Sequence, residues 1–126
     1  YNYVVNNLTY DYDKAETVET GYLPDVDETL STKTGICFDY AALTTAMLRS
    51  CDIPCKLQIG YTGDIKHAWI DVYIRSKGWV TGAVSFNGDS WSLMDPTFDS
   101  SADSDDTEAI QDYIGNADNY TVQFTR

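Results

Sequence analysis

Between His67 and Ile74 the chain alternates without a break. Ala68, Ile70, Val72 and Ile74 fall on one face, and His67, Trp69, Asp71 and Tyr73 on the other. A period of two predicts a half-buried antiparallel strand, which needs partner strands beside it and an apolar layer against one face. The partners are visible in the sequence. Lys56 to Tyr61 and Trp79 to Phe86 read as strands, Asn87-Gly88 as a hairpin turn, Ser90 to Asp95 as the strand returning from it, and Tyr120 to Thr125 as a last strand.

The layer is visible too. Phe38 to Ser50 is the strongest helical segment, with Leu43, Ala46 and Met47 at helical spacing, Asp39 in the first turn and Arg49 in the last. Pro54 forbids its continuation, and Thr34-Gly35 breaks the chain before it. Tyr1 to Leu8 reads as the tail of a helix, Tyr10 to Asp13 as a polar turn and Thr20 to Asp27 as loop. Glu28 to Thr32 reads as a helical turn, residues 99–106 as an acidic solvated loop and Thr107 to Ile114 as a short helix.

The 126 residues suffice for one domain, 1–126, and the chain, opening at Tyr1, is read as a piece of a longer protein. Twenty acidic residues against 8 basic give a net charge of −12, which disfavours nucleic acid and anionic membrane surfaces. No stretch approaches the roughly 18 consecutive apolar residues of a membrane span. Three cysteines do not pair off. Cys51 and Cys55 could close a small disulfide loop or serve as two small buried apolar residues. The acidic loop lacks the regular spacing of a calcium-binding loop, and no second cysteine pair supports zinc.

Cys37 follows the Gly35 turn at the start of the helix; His67, the only histidine, opens the alternating strand. Asp95 precedes Pro96, which favours an extended conformation at a strand end. A thiol, an imidazole and a carboxylate are the parts of a nucleophile, its base and the base's orienter. A helix N-terminus and a neighbouring imidazolium are expected to lower the thiol's pKa. The Cys37 N–H, unpaired within the helix, could face a developing oxyanion.

The surrounding residues carry a resemblance. Thr34-Gly35-Ile36-Cys37-Phe38-Asp39-Tyr40-Ala41, Met47-Leu48-Arg49-Ser50 with Ile53-Pro54, Gly60-Tyr61, His67 to Tyr73, Gly78-Trp79 and Asp95-Pro96-Thr97 occur in this order. Together they resemble the transglutaminase-like superfamily of papain-type cysteine enzymes, from about Gly21 to Asp99. The resemblance implies an α+β fold with a transglutaminase-like/papain-like core, its cysteine-bearing helix packed on an antiparallel β-sheet. It implies Cys37 as nucleophile, His67 as general base and acid, and Asp95 as orienter, with no cofactor or metal in the chemistry. It also implies an upstream side chain as second oxyanion donor, for which Tyr22 is the candidate. The reaction implied is thiol-dependent acyl transfer on an amide or peptide bond through a thioester, as in a cysteine protease, amidase or transglutaminase. The substrate would be a peptide, protein or cell-wall polymer, and the setting a secreted or cell-surface protein.

Two other functions compete. One is a non-catalytic module that binds peptide or cell-wall polymer; the other is a thiol acetyltransferase, for which the chain offers no basic cluster to hold coenzyme A. Neither oligomeric state nor the choice between water and amine is written in the sequence.

Overall fold

In the computed structural model the described residues are 1–87, 90–93, 118 and 120–126. The order of elements is α1 (Asn2–Asn7), β1 (Thr9–Tyr10), α2 (Tyr12–Thr17), α3 (Val26–Thr32), β2 (Thr34–Gly35), α4 (Cys37–Ser50), β3 (Cys55–Thr62), β4 (Ile65–Ile74), β5 (Gly78–Asn87), β6 (Ser90–Leu93) and β7 (Tyr120–Thr125). β3 to β7 form one antiparallel sheet in the order β6-β5-β4-β3-β7. The fold is α+β, and α4 packs on β3, β4 and β5.

The register explains the core. Leu57 pairs with Ile70, and Ile70 with Val84. This row packs with Ala68, Tyr40, Ala41, Leu43, Val4 and Leu8 in one apolar cluster. Burial of such side chains stabilises by about 1.5–3 kcal/mol each. Tyr40 and Ala41 are wholly buried on the first turns of α4, so the start of this helix is its most enclosed part.

The alternating strand is more enclosed than its pattern predicts. From His67 to Asp71 every residue of β4 is buried, on both faces. On the polar face the Asp71 carboxylate is matched, while the wholly buried Trp69 indole N–H has no hydrogen-bond partner among the described residues. The Trp69 ring lies tilted against that of Tyr120, with ring centroids 4.9 Å apart. The Asp71 carboxylate accepts from Gln58 Nε2 at 2.8 Å and from the Gly82 N–H at 2.9 Å. The second bond lies where the β4–β5 register shifts between Ile70 and Val72, so a side chain takes over a ladder position.

At the other end of the chain, β1 lies parallel to β2, with Tyr10 opposite Gly35. The polar turn expected at Tyr10 to Asp13 is thus a strand end followed by a helix. Asp11 is the N-cap of α2 and accepts from the Lys14 N–H at 2.9 Å. The sulfur atoms of Cys37, Cys51 and Cys55 are all free; Cys55 is buried and Cys51 exposed. Asp95, the acidic loop and the expected helix at 107–114 lie outside the described residues.

Gly60 sits opposite His67 and beside the β3–β7 irregularity. A Cβ there would stand 1.9 Å from the backbone carbonyl oxygen of Thr121. Backbone cannot yield as a side-chain tip can, so Gly60→Ala is expected to displace β7 and cost about 1–3 kcal/mol. Urea denaturation measures this; a wild-type midpoint would show that β7 does not depend on the close approach.

Candidate active site

Cys37 is the first residue of α4, and its position is set by three short elements meeting there. Ile36 is the N-cap, and Asp39, at the third helical position, accepts the Ile36 N–H at 2.8 Å. A carboxylate in this place satisfies a backbone donor and complements the positive end of the helix dipole. Asp39 is wholly buried. Its second oxygen contacts come from other segments: Lys14 Nζ of α2 donates to Oδ2 at 2.9 Å, and the Tyr22 hydroxyl donates to Oδ1. Lys14 also donates to the Tyr22 oxygen at 2.7 Å. Burial pulls the Lys14 pKa down, but its bonds to Tyr22 and Asp39 outweigh that and hold it above its ordinary value.

A cavity of about 330 Å³ opens over the thiol. On one side stand Ala15, Val18 and the 19–22 loop; on the other, Ile59, Lys66, His67 and Ala68; Tyr10, Ile36, Cys37 and Phe38 complete it. The structure therefore places Cys37 and His67, far apart in sequence, on one cavity. The backbone N–H groups of Phe38 and Ala68 and the Tyr10 hydroxyl lie near enough to the Cys37 sulfur to favour its charged form. Ala68 is the residue after His67, so the thiol lies against the histidine-bearing end of β4. Tyr22 lines the same cavity, but its hydroxyl is engaged by Asp39 and Lys14. The bonds seen for Tyr22 brace the thiol-bearing turn. Asp95 lies outside the described residues.

The electrostatics depart from the sequence expectation. Burial pushes the Cys37 thiol up; the hydrogen bonds to its sulfur oppose this, and the nearby Asp39 carboxylate adds to it. Burial pushes the His67 imidazole down. The two shifts favour a neutral thiol and a neutral imidazole over a thiolate–imidazolium pair. The helix terminus alone does not overcome the cost of a charged sulfur in a half-buried place beside a carboxylate.

Sequence reading missed Tyr10. Its place over Cys37 comes from the pairing of two two-residue strands, and such short elements leave no periodicity to detect.

The family model for the transglutaminase-like superfamily matches residues 1–96. The chain belongs to this superfamily. Among curated proteins it is similar to the UPF0252 protein MJ1282 of Methanocaldococcus jannaschii, 43% identical over 56 residues, which covers 40% of this chain and 16% of that protein. It is also similar to the uncharacterized protein YebA of Bacillus subtilis, 30% identical over 95 residues, covering 60% of this chain and 13% of that protein. The chain thus spans under a fifth of either relative. Two solved structures share its fold. One is a candidate cysteine protease from Cytophaga hutchinsonii, with a TM-score of 0.55 and 19% identity, covering 99% of this chain and 33% of that one. The other is described as a TGase, with a TM-score of 0.53 and 19% identity, covering 71% of this chain and 26% of that one.

Two outcomes follow for this transglutaminase-like domain. Lys14→Met leaves the buried Asp39 carboxylate without its cation, and is expected to cost about 1–3 kcal/mol, with Lys14→Arg costing less. Denaturant titration checks the order, and a Lys14→Met variant as stable as wild type contradicts it. His67, with its pKa lowered on folding, holds fewer protons than the unfolded chain just below its ordinary value of 6.5. Stability must then fall as pH drops through that region. Denaturation midpoints at pH 7.5 and 5.5 should separate less in His67→Gln than in wild type; equal separation would mean that His67 is not buried neutral.

Proposed function

We propose that this domain carries out thiol-dependent acyl transfer on amide or peptide carbonyls, with Cys37 as nucleophile and His67 as its general base and acid. The observation that carries the reading is the shared cavity: thiol and imidazole line one pocket, the thiol at the N-terminus of a buried helix. Membership of the transglutaminase-like superfamily supports it.

The neutral pair defines the order of events. As a carbonyl carbon approaches the sulfur, the thiol proton passes to the imidazole and the S–C bond forms. The carbonyl oxygen becomes an oxyanion facing the first-turn N–H groups of α4. Collapse breaks the C–N bond, and the imidazolium returns the proton to the leaving amine. A thioester on Cys37 remains. Water then attacks and yields an acid, or a second amine attacks and yields a new amide. Asp95 is proposed to accept the other imidazole N–H and fix its tautomer. Peptides, proteins or cell-wall polymers are the proposed substrates, in a secreted or cell-surface setting.

The test uses a peptide library with a fluorescent primary amine, offered to wild type and to Cys37→Ala. Cleavage, deamidation or amine incorporation by wild type alone is the expected result, with loss of at least about 10³-fold in the variant. Identical products from both proteins would remove the enzyme reading and favour a peptide-binding module.

A further inference from the structure

We propose that Tyr10 is a catalytic residue of the same site: its hydroxyl donates to the oxyanion that forms when Cys37 attacks a carbonyl. The proposal rests on the reading of Cys37 as nucleophile and adds the donor which that reading leaves unassigned.

Placement comes first. β1 pairs with β2 so that Tyr10 stands opposite Gly35, two residues before the thiol. The pairing is fixed by the Thr9 N–H donating to the Lys33 carbonyl at 2.8 Å and the Asp11 N–H donating to the Gly35 carbonyl at 2.9 Å. The ring is held between two others, edge-on to Tyr12 with centroids 5.0 Å apart and tilted against Tyr40 at 6.1 Å. A tyrosine clamped at both backbone and ring keeps its hydroxyl in one place, as a preorganised donor must.

The place is the relevant one. Tyr10 and Cys37 line the same cavity, and the Tyr10 hydroxyl comes within interaction range of the Cys37 backbone N–H and sulfur. In an α-helix that N–H has no acceptor in its own helix. It is therefore the donor a tetrahedral oxyanion at Cys37 would use, and the Tyr10 hydroxyl stands beside it. When a substrate oxygen takes the N–H, the hydroxyl beside it is free to donate to the same oxygen. Burial, followed by the charge of a Cys37 thiolate, raises the Tyr10 pKa, so the phenol keeps its proton across neutral and mildly alkaline pH. Tyr22, the other tyrosine on the cavity, spends its proton on Asp39.

An oxyanion donor affects one class of reaction and leaves another alone, which gives the test. Attack of Cys37 on p-nitrophenyl acetate passes through an oxyanion and yields an acetyl thioester and p-nitrophenol. Displacement of iodide from iodoacetamide by the same sulfur forms no oxyanion. Both use the same sulfur and remove the same thiol proton, so their ratio cancels any change in ionisation. Site-specific rates at Cys37 are read by mass spectrometry in a Cys51→Ser background, with and without Tyr10→Phe. The phenylalanine keeps the ring and removes only the hydroxyl. The ratio of acetylation to alkylation is expected to fall about 10²-fold, the usual effect of losing one oxyanion donor. An unchanged ratio overturns the role of Tyr10 and leaves Cys37 as nucleophile. A parallel fall in both rates, with loss of the cooperative thermal transition, assigns Tyr10 to packing and also overturns the proposal. Failure of the wild-type chain to acetylate Cys37 at all overturns both readings together.

Discussion

The buried carboxylate of Asp39 is the interaction on which the rest of the site depends. It accepts the Ile36 N–H, the Lys14 ammonium and the Tyr22 hydroxyl, and so ties the start of α4 to α2 and to the loop that walls the cavity. It also dictates its neighbour. A Cβ on Gly35 would stand 2.6 Å from the Asp39 Cβ, so only glycine lets the chain turn into the helix here. The arrangement has a chemical consequence. The carboxylate that fixes the thiol's position also repels a negative charge on its sulfur. Geometry is secured at the expense of a ready-made thiolate, and ionisation is left to the moment of attack.

That trade suits a site in which the base acts late. His67, depressed by its own burial, is a neutral acceptor at neutral pH, and an imidazole of low pKa gives its proton up readily to a leaving amine. Charge developing on the sulfur is favoured by the nearby backbone N–H groups of Phe38 and Ala68. What the cavity admits next, water or an amine, is governed by walls that include Val18, Glu19 and Lys66. The domain covers about a third of the protease-like neighbour and about a quarter of the TGase neighbour.

The sheet and its helix were legible because each carries a strong period. The β4 alternation and the stretch from Phe38 to Ser50 needed no tertiary information, and the structure adds only residues at their ends. The motif around Cys37 and His67 was legible for a different reason: the residues around them, in their order, resemble those of the superfamily. What escaped reading is non-local. Burial of Asp71 depends on Gln58 and on a register shift against Gly82; pairing of Tyr10 with Gly35 depends on two strands too short to show a pattern. α2 had a local signal, an Asp11 N-cap followed by an acidic first turn, which a polar composition disguised as a turn. The fall in His67 pKa and the rise at Cys37 follow from desolvation, which no motif encodes.

Cys51 is exposed and Cys37 is half-buried, so simple access favours the wrong sulfur. If the fold exists to activate Cys37 toward carbonyls, chemistry must reverse that order. The direct measurement is to expose the protein briefly to an activated acyl ester at neutral pH, quench in acid and map the hydroxylamine-sensitive acyl groups by peptide mass spectrometry. The account predicts a thioester on Cys37, lost in His67→Ala, with Cys51 and Cys55 unmodified. Acylation of Cys51 ahead of Cys37, or an adduct at Cys37 that forms equally fast without His67, would contradict it.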